Sequence, residues 1–413
     1  MIGADASQSA GARRVTWLSR SFIALVLLLA FPSTGFVQKY SGLAGVAGYV
    51  AFVAAGVYVP WRFGACLAPW LRHRFLAVCV LTLTGLAICF AIAYPIENAR
   101  GLGKSSDRDD GLNLAVTRMA GGQSPYYPSD KFAGPLSVLP GGIFLSAPFV
   151  AFGSSGYQNV FWLAAFVVAA WWRFRDPALA IVMLMVPLAL SPAAIYEYIS
   201  GGDMHSNGIY VAVFFLLALG AWTQPRVPRW ARWPACVLLG VGLASRPNFL
   251  LLMPLFGAVL WRTVGLRQAV AAAGLVVLVS AAITVPFYLH DPAGFTPLLA
   301  RGKLAVIDHV MPSASKAMIG MTALLGIVGA WALLRSTAGD VTGAFFRWCT
   351  WVTLCPMACA VALSTVVGGH LDFSFMSDRF GLMYVTFALF GWGGQWLNEA
   401  QTRRLVAGRD RGA

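Results

Sequence analysis

Charge is what this sequence has least of. Asp, Glu, Lys and Arg make up 11% of its 413 residues, against 58% hydrophobic side chains and a mean hydropathy of +0.70. Too few polar side chains are present to cover a water-soluble globule, and that class is excluded. The alternating segments of ~10 residues that mark an outer-membrane barrel are missing too, so the hydrophobic runs read as helices. Cysteine gives no framework: Cys79, Cys89, Cys236, Cys349, Cys355 and Cys359 fall inside apolar runs and Cys66 lies near a basic loop. Neither a disulfide scaffold nor a zinc site is expected. The first apolar run, after Arg13 and Arg14, lacks a clean small-residue cleavage pattern and is followed by further runs, so a cleaved leader is not expected.

What is present is a chain of apolar runs near the ~20 residues that cross a bilayer, separated by Arg-bearing breaks. About twelve spans are expected in an all-α polytopic bundle forming one integral membrane domain over residues 1–413. The first three lie at Ser19 to Val37, Ala44 to Trp61 and Phe75 to Pro95, and an outer loop fills 96–137. The next are Val138 to Trp172, Ala178 to Pro192, Ile209 to Trp222, Trp233 to Ala244 and Phe249 to Trp261. Ala269 to Tyr288, Ala317 to Leu334, Ala344 to Val366 and Phe380 to Trp396 complete the set, and 397–413 is a cytoplasmic tail.

The net charge of +14 would suggest nucleic acid in a soluble protein. Here the basic residues sit mainly in short loops, so they report topology and no nucleic-acid partner is expected. With a cytoplasmic N-terminus, Arg72, Arg74, Arg173, Arg175, Arg262, Arg335 and Arg347 fall inside. Val138 to Trp172 is too long for one span and is interrupted by "GSSGYQN", which suggests one crossing plus a half-length piece. "SRPN" at Ser245 to Asn248 likewise suggests two half-length helices meeting near the outer surface. Most acids, including Asp107, Asp109, Asp110, Glu197 and Asp203, then face outward with all five lysines.

In the first outer loop, Leu112, Ala115, Val116 and Met119 recur at helical spacing with Asn113 and Thr117 opposite, which predicts an amphipathic helix lying on the outer surface. Gly121 and Gly122 end it. One aspartate before such a helix is explained by capping. Three within four positions, Asp107, Asp109 and Asp110, exceed what a cap uses, and their repulsion raises at least one toward the range of a general base.

The run "DDGLNLAVTRMAGGQSPYYP" followed by "LPGGIFLSAPFVAFG" resembles the start of GT-C-type membrane glycosyltransferases, in particular the polyprenyl-phosphate-mannose-dependent α-mannosyltransferases of glycosyltransferase family 87. In that family an outer-loop Asp precedes a juxtamembrane helix, a Gly-x-x-Pro-Tyr turn and a Pro-containing next span. The corresponding positions are Asp109 or Asp110, Leu112 to Ala120, Gly122 to Tyr126 and Leu139 to Gly142. "SGGDMHSNGIY" from Ser200, "GVGLASRPNFLLLMPLF" from Gly240 and "HLDFSFMSDRFGLMY" from His370 resemble later family segments. The chain departs from the family in the single Pro140, in the absent Gln of a Gly-Gln motif and in two extra early spans.

The resemblance implies a GT-C-like fold in a bacterial cytoplasmic membrane, active on the outer face. It implies transfer of a hexose, mannose favoured, from a polyprenyl-phosphate donor to a lipid or glycan acceptor among membrane lipids. Such chemistry needs one carboxylate to take the acceptor proton and cations to hold the leaving phosphate, so it demands no metal or other cofactor. The base candidates are Asp110, Asp109 and Asp107 in that order. Arg246, Lys303, His309 and Arg379 are the phosphate candidates, and Asp203, His205 and Tyr126 those for sugar or acceptor. Each has a plainer reading: Arg246 as a snorkelling or capping cation, Arg379 as the partner of Asp378, Lys303 and His309 on a second surface helix marked by Leu304, Ile307 and Met311. A secondary transporter would also use broken helices and buried charge but calls for internal repeats, of which none is clear. A non-catalytic assembly subunit needs no acidic juxtamembrane helix.

Overall fold

Backbone groups in lipid find no water, so unbroken apolar runs satisfy them internally and become helices. The computed structural model describes residues 19–99, 107–127, 135–225, 227–299, 307–309, 311–337 and 339–409, and is all-α among them. Helix α1 (Arg20–Ala30) passes through the 3-10 turn Phe31–Ser33 into α2 (Thr34–His73), which kinks at Gly42 where φ is +64°. Helices α3 (Phe75–Asn98), α4 (Arg108–Ala120) and α5 (Pro140–Ala151) follow. Next come α6 (Gln158–Phe174), α7 (Pro177–Leu190), α8 (Pro192–Ile199) and α9 (Met204–Thr223). The rest are α10 (Arg232–Leu243), α11 (Met253–Val264), α12 (Leu266–His290), α13 (Ala314–Arg335), α14 (Val341–Gly368) and α15 (Leu382–Arg409).

Among the described residues seven helical stretches are long and apolar enough to cross a membrane, or up to eight if a bent pair counts as one. The chain is a multi-pass helical membrane protein, and the expectation of twelve spans is corrected. Hydropathy counts apolar runs, whereas a span also needs ~20 residues in one helix. The first two expected spans fall in a single helical tract, Arg20–Gly64. Several others are helices of only 12 residues (α10), 14 (α7) or 17 (α6). Helices α7 and α8 meet at 92°, where Ser191 is extended and its hydroxyl accepts from the Ala194 N–H, capping a helix that opens on Pro192.

Helix α9 forms the centre, with 94% of its apolar window buried. Its close approach to α15 depends on Gly208, where a Cβ would stand 2.4 Å from the Met383 carbonyl oxygen. Such small-residue contacts matter in lipid, where apolar burial alone does not drive helices together. Outward faces are apolar instead: Leu76, Leu81 and Ile92 of α3 are exposed.

The tract Val138 to Trp172 divides into α5 and α6 at a turn containing Gly153, whose φ is +123°. Helix α5 begins on the end of α10, with Leu139 N–H donating to the Ser245 carbonyl (2.9 Å) and Gly141 N–H to that of Ala244 (2.8 Å). Gly141 permits this, because a Cβ there would lie 2.3 Å from the Val241 carbonyl oxygen. After α5 the chain reaches α4, where Ser155 N–H donates to Asn113 Oδ1 (2.7 Å). Both termini of α5 therefore sit at one end of the bundle, with α4.

The expected amphipathic helix is present as α4, and its apolar stripe packs into protein. Leu112, Ala115 and Val116 join a small second core with Tyr126, Tyr127 and Ile143. Asn113, on the opposite face, is held by the turn after α5. Helix α4 is thus wedged into protein on two sides, and Thr117 remains exposed. The second expected surface helix is described only at 307–309, where a helical turn is present, and Leu304 lies outside the described residues.

Candidate functional site

At this end of the bundle the first turn of α4 meets the starts of α9 and α15 and the junction between α10 and α11. Asp109 points inward and is fully buried, with its Oδ2 accepting from the Tyr94 hydroxyl (2.5 Å). Tyr94 Oη also lies 2.7 Å from Ser154 Oγ. The Gly201 backbone closes over the carboxylate: its φ is +71° and a Cβ would stand 3.1 Å from Asp109 Oδ2. Asp109 Oδ1 is buried with no hydrogen-bond partner among the described residues. Burial pushes the Asp109 carboxyl up to about 6; the Tyr94 hydrogen bond opposes this and the Asp110 charge adds to it.

Two carboxylate-guanidinium groups lie beside it. Arg246 Nη2 is 2.6 Å from Asp203 Oδ2, both side chains nearly inaccessible, and Arg246 Nη1 donates to Ser137 Oγ (2.8 Å). Asp203 also accepts from Asn207 Nδ2 (3.0 Å), and Asn207 in turn accepts from the Tyr210 hydroxyl (2.6 Å). Burial alone would raise the Asp203 carboxyl, but the Arg246 and Arg108 guanidiniums outweigh it and hold Asp203 below the usual carboxylate range. Glu197, at the end of α8, takes Arg108 Nη1 at 3.3 Å and Arg379 Nε at 3.1 Å, and accepts from Met204 N–H (2.7 Å). Gly202 leaves room for this carboxylate, since a Cβ there would lie 2.3 Å from its carbon.

Between these groups is a cavity of about 60 Å³, lined by Asp107, Arg108, Tyr127, Ser137, Asp203 and Arg246 among others. Two carboxylates, Asp107 and Asp203, and two guanidiniums, Arg108 and Arg246, share its lining, and Asp203 is the partner of Arg246. Asp110 is half-buried beside it, and its carboxyl is raised by burial and by the neighbouring Asp107.

The structure thus brings Asp107, Asp109, Asp110, Asp203, Arg246 and Arg379 to one end. The ion pair of Arg379 is with Glu197, and its guanidinium stacks on Tyr196 at 4.8 Å. His205 is buried in the first turn of α9 beside Glu197 and Asn159 in a separate small chamber. Tyr126 is buried, its hydroxyl donating to the Val138 carbonyl (3.3 Å), while the adjacent Tyr127 lines the cavity. His309 is exposed and is not part of the cavity wall. Lys303 lies outside the described residues.

Three residues here carry weight that the sequence analysis did not give them. Arg108 was hidden among aspartates, and Tyr94 sits within an apolar run. Glu197 had a usable signal, since a carboxylate within "AAIYEYIS" is expensive unless partnered. Among the described residues no group of three or more His, Cys, Asp or Glu is placed to hold a metal ion. Comparison with protein families, curated proteins and solved structures finds no match to this chain.

Proposed function

We propose that the protein is a membrane glycosyltransferase that moves a hexose, mannose favoured, from a polyprenyl-phosphate donor to a hydroxyl of a lipid or glycan acceptor. The observation that carries this reading is the cavity whose lining brings Asp107 together with Arg108, Asp203 and Arg246. In the proposed reaction the donor phosphate lies against the two guanidiniums, which stabilise the charge it gains as the sugar–oxygen bond breaks. The acceptor hydroxyl attacks the sugar carbon from the opposite side, and its proton passes to the α4 carboxylates. Asp107 is the α4 carboxylate that lines the cavity, and the neighbouring Asp110 has its own carboxyl raised by burial and by the Asp107 charge. Asp109 has no solvent access and acts as a positioning residue through Tyr94. The site faces outward from the cytoplasmic membrane in this reading, and the GT-C resemblance of the α4 region supports the choice of donor.

The test is sugar transfer by the full chain in lipid nanodiscs, with labelled polyprenyl-phosphate mannose, glucose or arabinose and extracted membrane lipids as acceptors. Donor-dependent product is expected with mannose. Asp107→Asn should reduce turnover by about a hundredfold or more while leaving the unfolding temperature near wild type. Consumption of no donor, or full activity in the Asp107→Asn, Asp109→Asn and Asp110→Asn variants alike, would sink the proposal.

A further inference from the structure

The opposite end of the bundle carries a second cavity, remote from the acidic start of α4. It is open, measures about 520 Å³ and is lined by Arg335, Ser336, Thr337, Ala344, Arg347 and Trp348, where the end of α13 meets the start of α14. Two further guanidiniums border it. Arg262 Nη1 donates to the carbonyl of Leu333 in the cavity wall (3.3 Å). Arg173 pairs with Asp340 at 2.5 Å, one turn before Ala344. Four arginines therefore gather around a single described carboxylate, and that carboxylate is already taken by Arg173. Arg347 Nη1 donates to the Gly391 carbonyl (2.9 Å), which fixes its orientation, and Arg335 stacks on Trp331 at 4.4 Å. Among the described residues neither forms an ion pair, although Arg347 still feels the charge of the Asp340 carboxylate that Arg173 holds.

The surroundings are those of a membrane boundary. Leu324, Ile327 and Trp331 line the exposed face of α13 below the cavity, and Trp351 is exposed on α14. Aromatic residues at such a level mark the zone between headgroups and acyl chains. Guanidiniums without an ion pair, above an apolar helix face, match a phosphate joined to hydrocarbon: the fork geometry of Arg binds phosphate oxygens in pairs, and the chains lie along α13.

We propose that this cavity binds the phosphate headgroup of an anionic membrane phospholipid, independently of any reaction at the other end. The experiment uses the full chain released from vesicles of mixed phosphatidylglycerol and phosphatidylcholine and weighed with its retained lipids by native mass spectrometry. Phosphatidylglycerol should be retained in preference, and Arg335→Gln and Arg347→Gln should each lower that retention about tenfold. Arg335 is exposed, so its variant keeps the test valid if the Arg347 variant does not fold. Arg72→Gln, at the same end of the bundle, should leave retention unchanged. Equal retention of the two lipids, undiminished retention in Arg335→Gln or an equal loss in Arg72→Gln would overturn the proposal. Displacement of the lipid by excess inorganic phosphate would also overturn it and assign the cavity to a soluble anion.

Discussion

The two ends of the bundle handle charge in opposite ways. Around α4, guanidiniums and carboxylates are withdrawn from water and matched to one another: Arg246 with Asp203, Arg108 and Arg379 with Glu197. At the other end Arg72 pairs with Asp176 while 46% exposed, and Arg173 meets an Asp340 that is 49% exposed. Buried ions lose their hydration and persist only with close partners, whereas exposed ones lose little and gain little. A protein that needed charge only for orientation in the membrane would resemble the second end throughout. The first end concentrates ions at a stability cost, and such concentrations are characteristic of sites built for chemistry or binding.

The contrast can be broken most severely at Arg246. Removing it as Arg246→Ala leaves Asp203 buried with Asn207 as its remaining side-chain partner, and a loss of about 3–5 kcal/mol is expected, read as a lowered thermal midpoint in detergent. Arg246→Met combined with Asp203→Leu should recover most of that loss while abolishing the proposed sugar transfer, which would separate that proposed role from the pair's contribution to stability. Glu197→Gln is next, at about 3 kcal/mol, because two guanidiniums share that carboxylate.

Asp109 sharpens the comparison through pH. Its folded value of about 6 lies above the ~3.9 of a free aspartate, so the folded state holds the proton more tightly than the unfolded one. Stability should be greatest below pH ~4, fall as the pH rises to about 6 and stay reduced above that, by about 2–3 kcal/mol. Asp109→Asn removes the ionisation, so its melting temperature should be flat across this window and above wild type at neutral pH, with the proposed sugar transfer lowered. A wild-type stability that rises with pH between 4 and 6 ~ the opposite sign ~ would refute the buried-carboxylate account. The smallest effect belongs to the exposed pair: Arg72→Ala should cost under about 1 kcal/mol, and less still in high salt.

How much of this was legible in the sequence depended on range. Local features could be read: the helical class, the amphipathic α4, the interruption at Gly153 and the unusual position of Arg246. Span number could not, because hydropathy does not reveal that Arg20 to Gly64 forms one helical tract kinked at Gly42 or that α7 turns through 92° into α8. The pairings were equally hidden. Arg246 finds Asp203 across 43 positions and Ser137 across 109, and no periodicity encodes such distances. Asp109 and Asp110 are adjacent in sequence, yet one is fully buried and the other half-exposed. A helical step of 100° separates them, and only the position of Gly201 and Tyr94 decides which one turns inward.

The arrangement of Glu197 has a consequence for how the chain is made. Of its two guanidinium partners, Arg108 is synthesised before it and Arg379 long after, at the start of the last helix. During insertion the carboxylate therefore waits with half its complement, and the pocket reaches its final charge balance only when α15 enters beside α9. Chains truncated before that helix would carry Glu197 with only one of its two guanidinium partners.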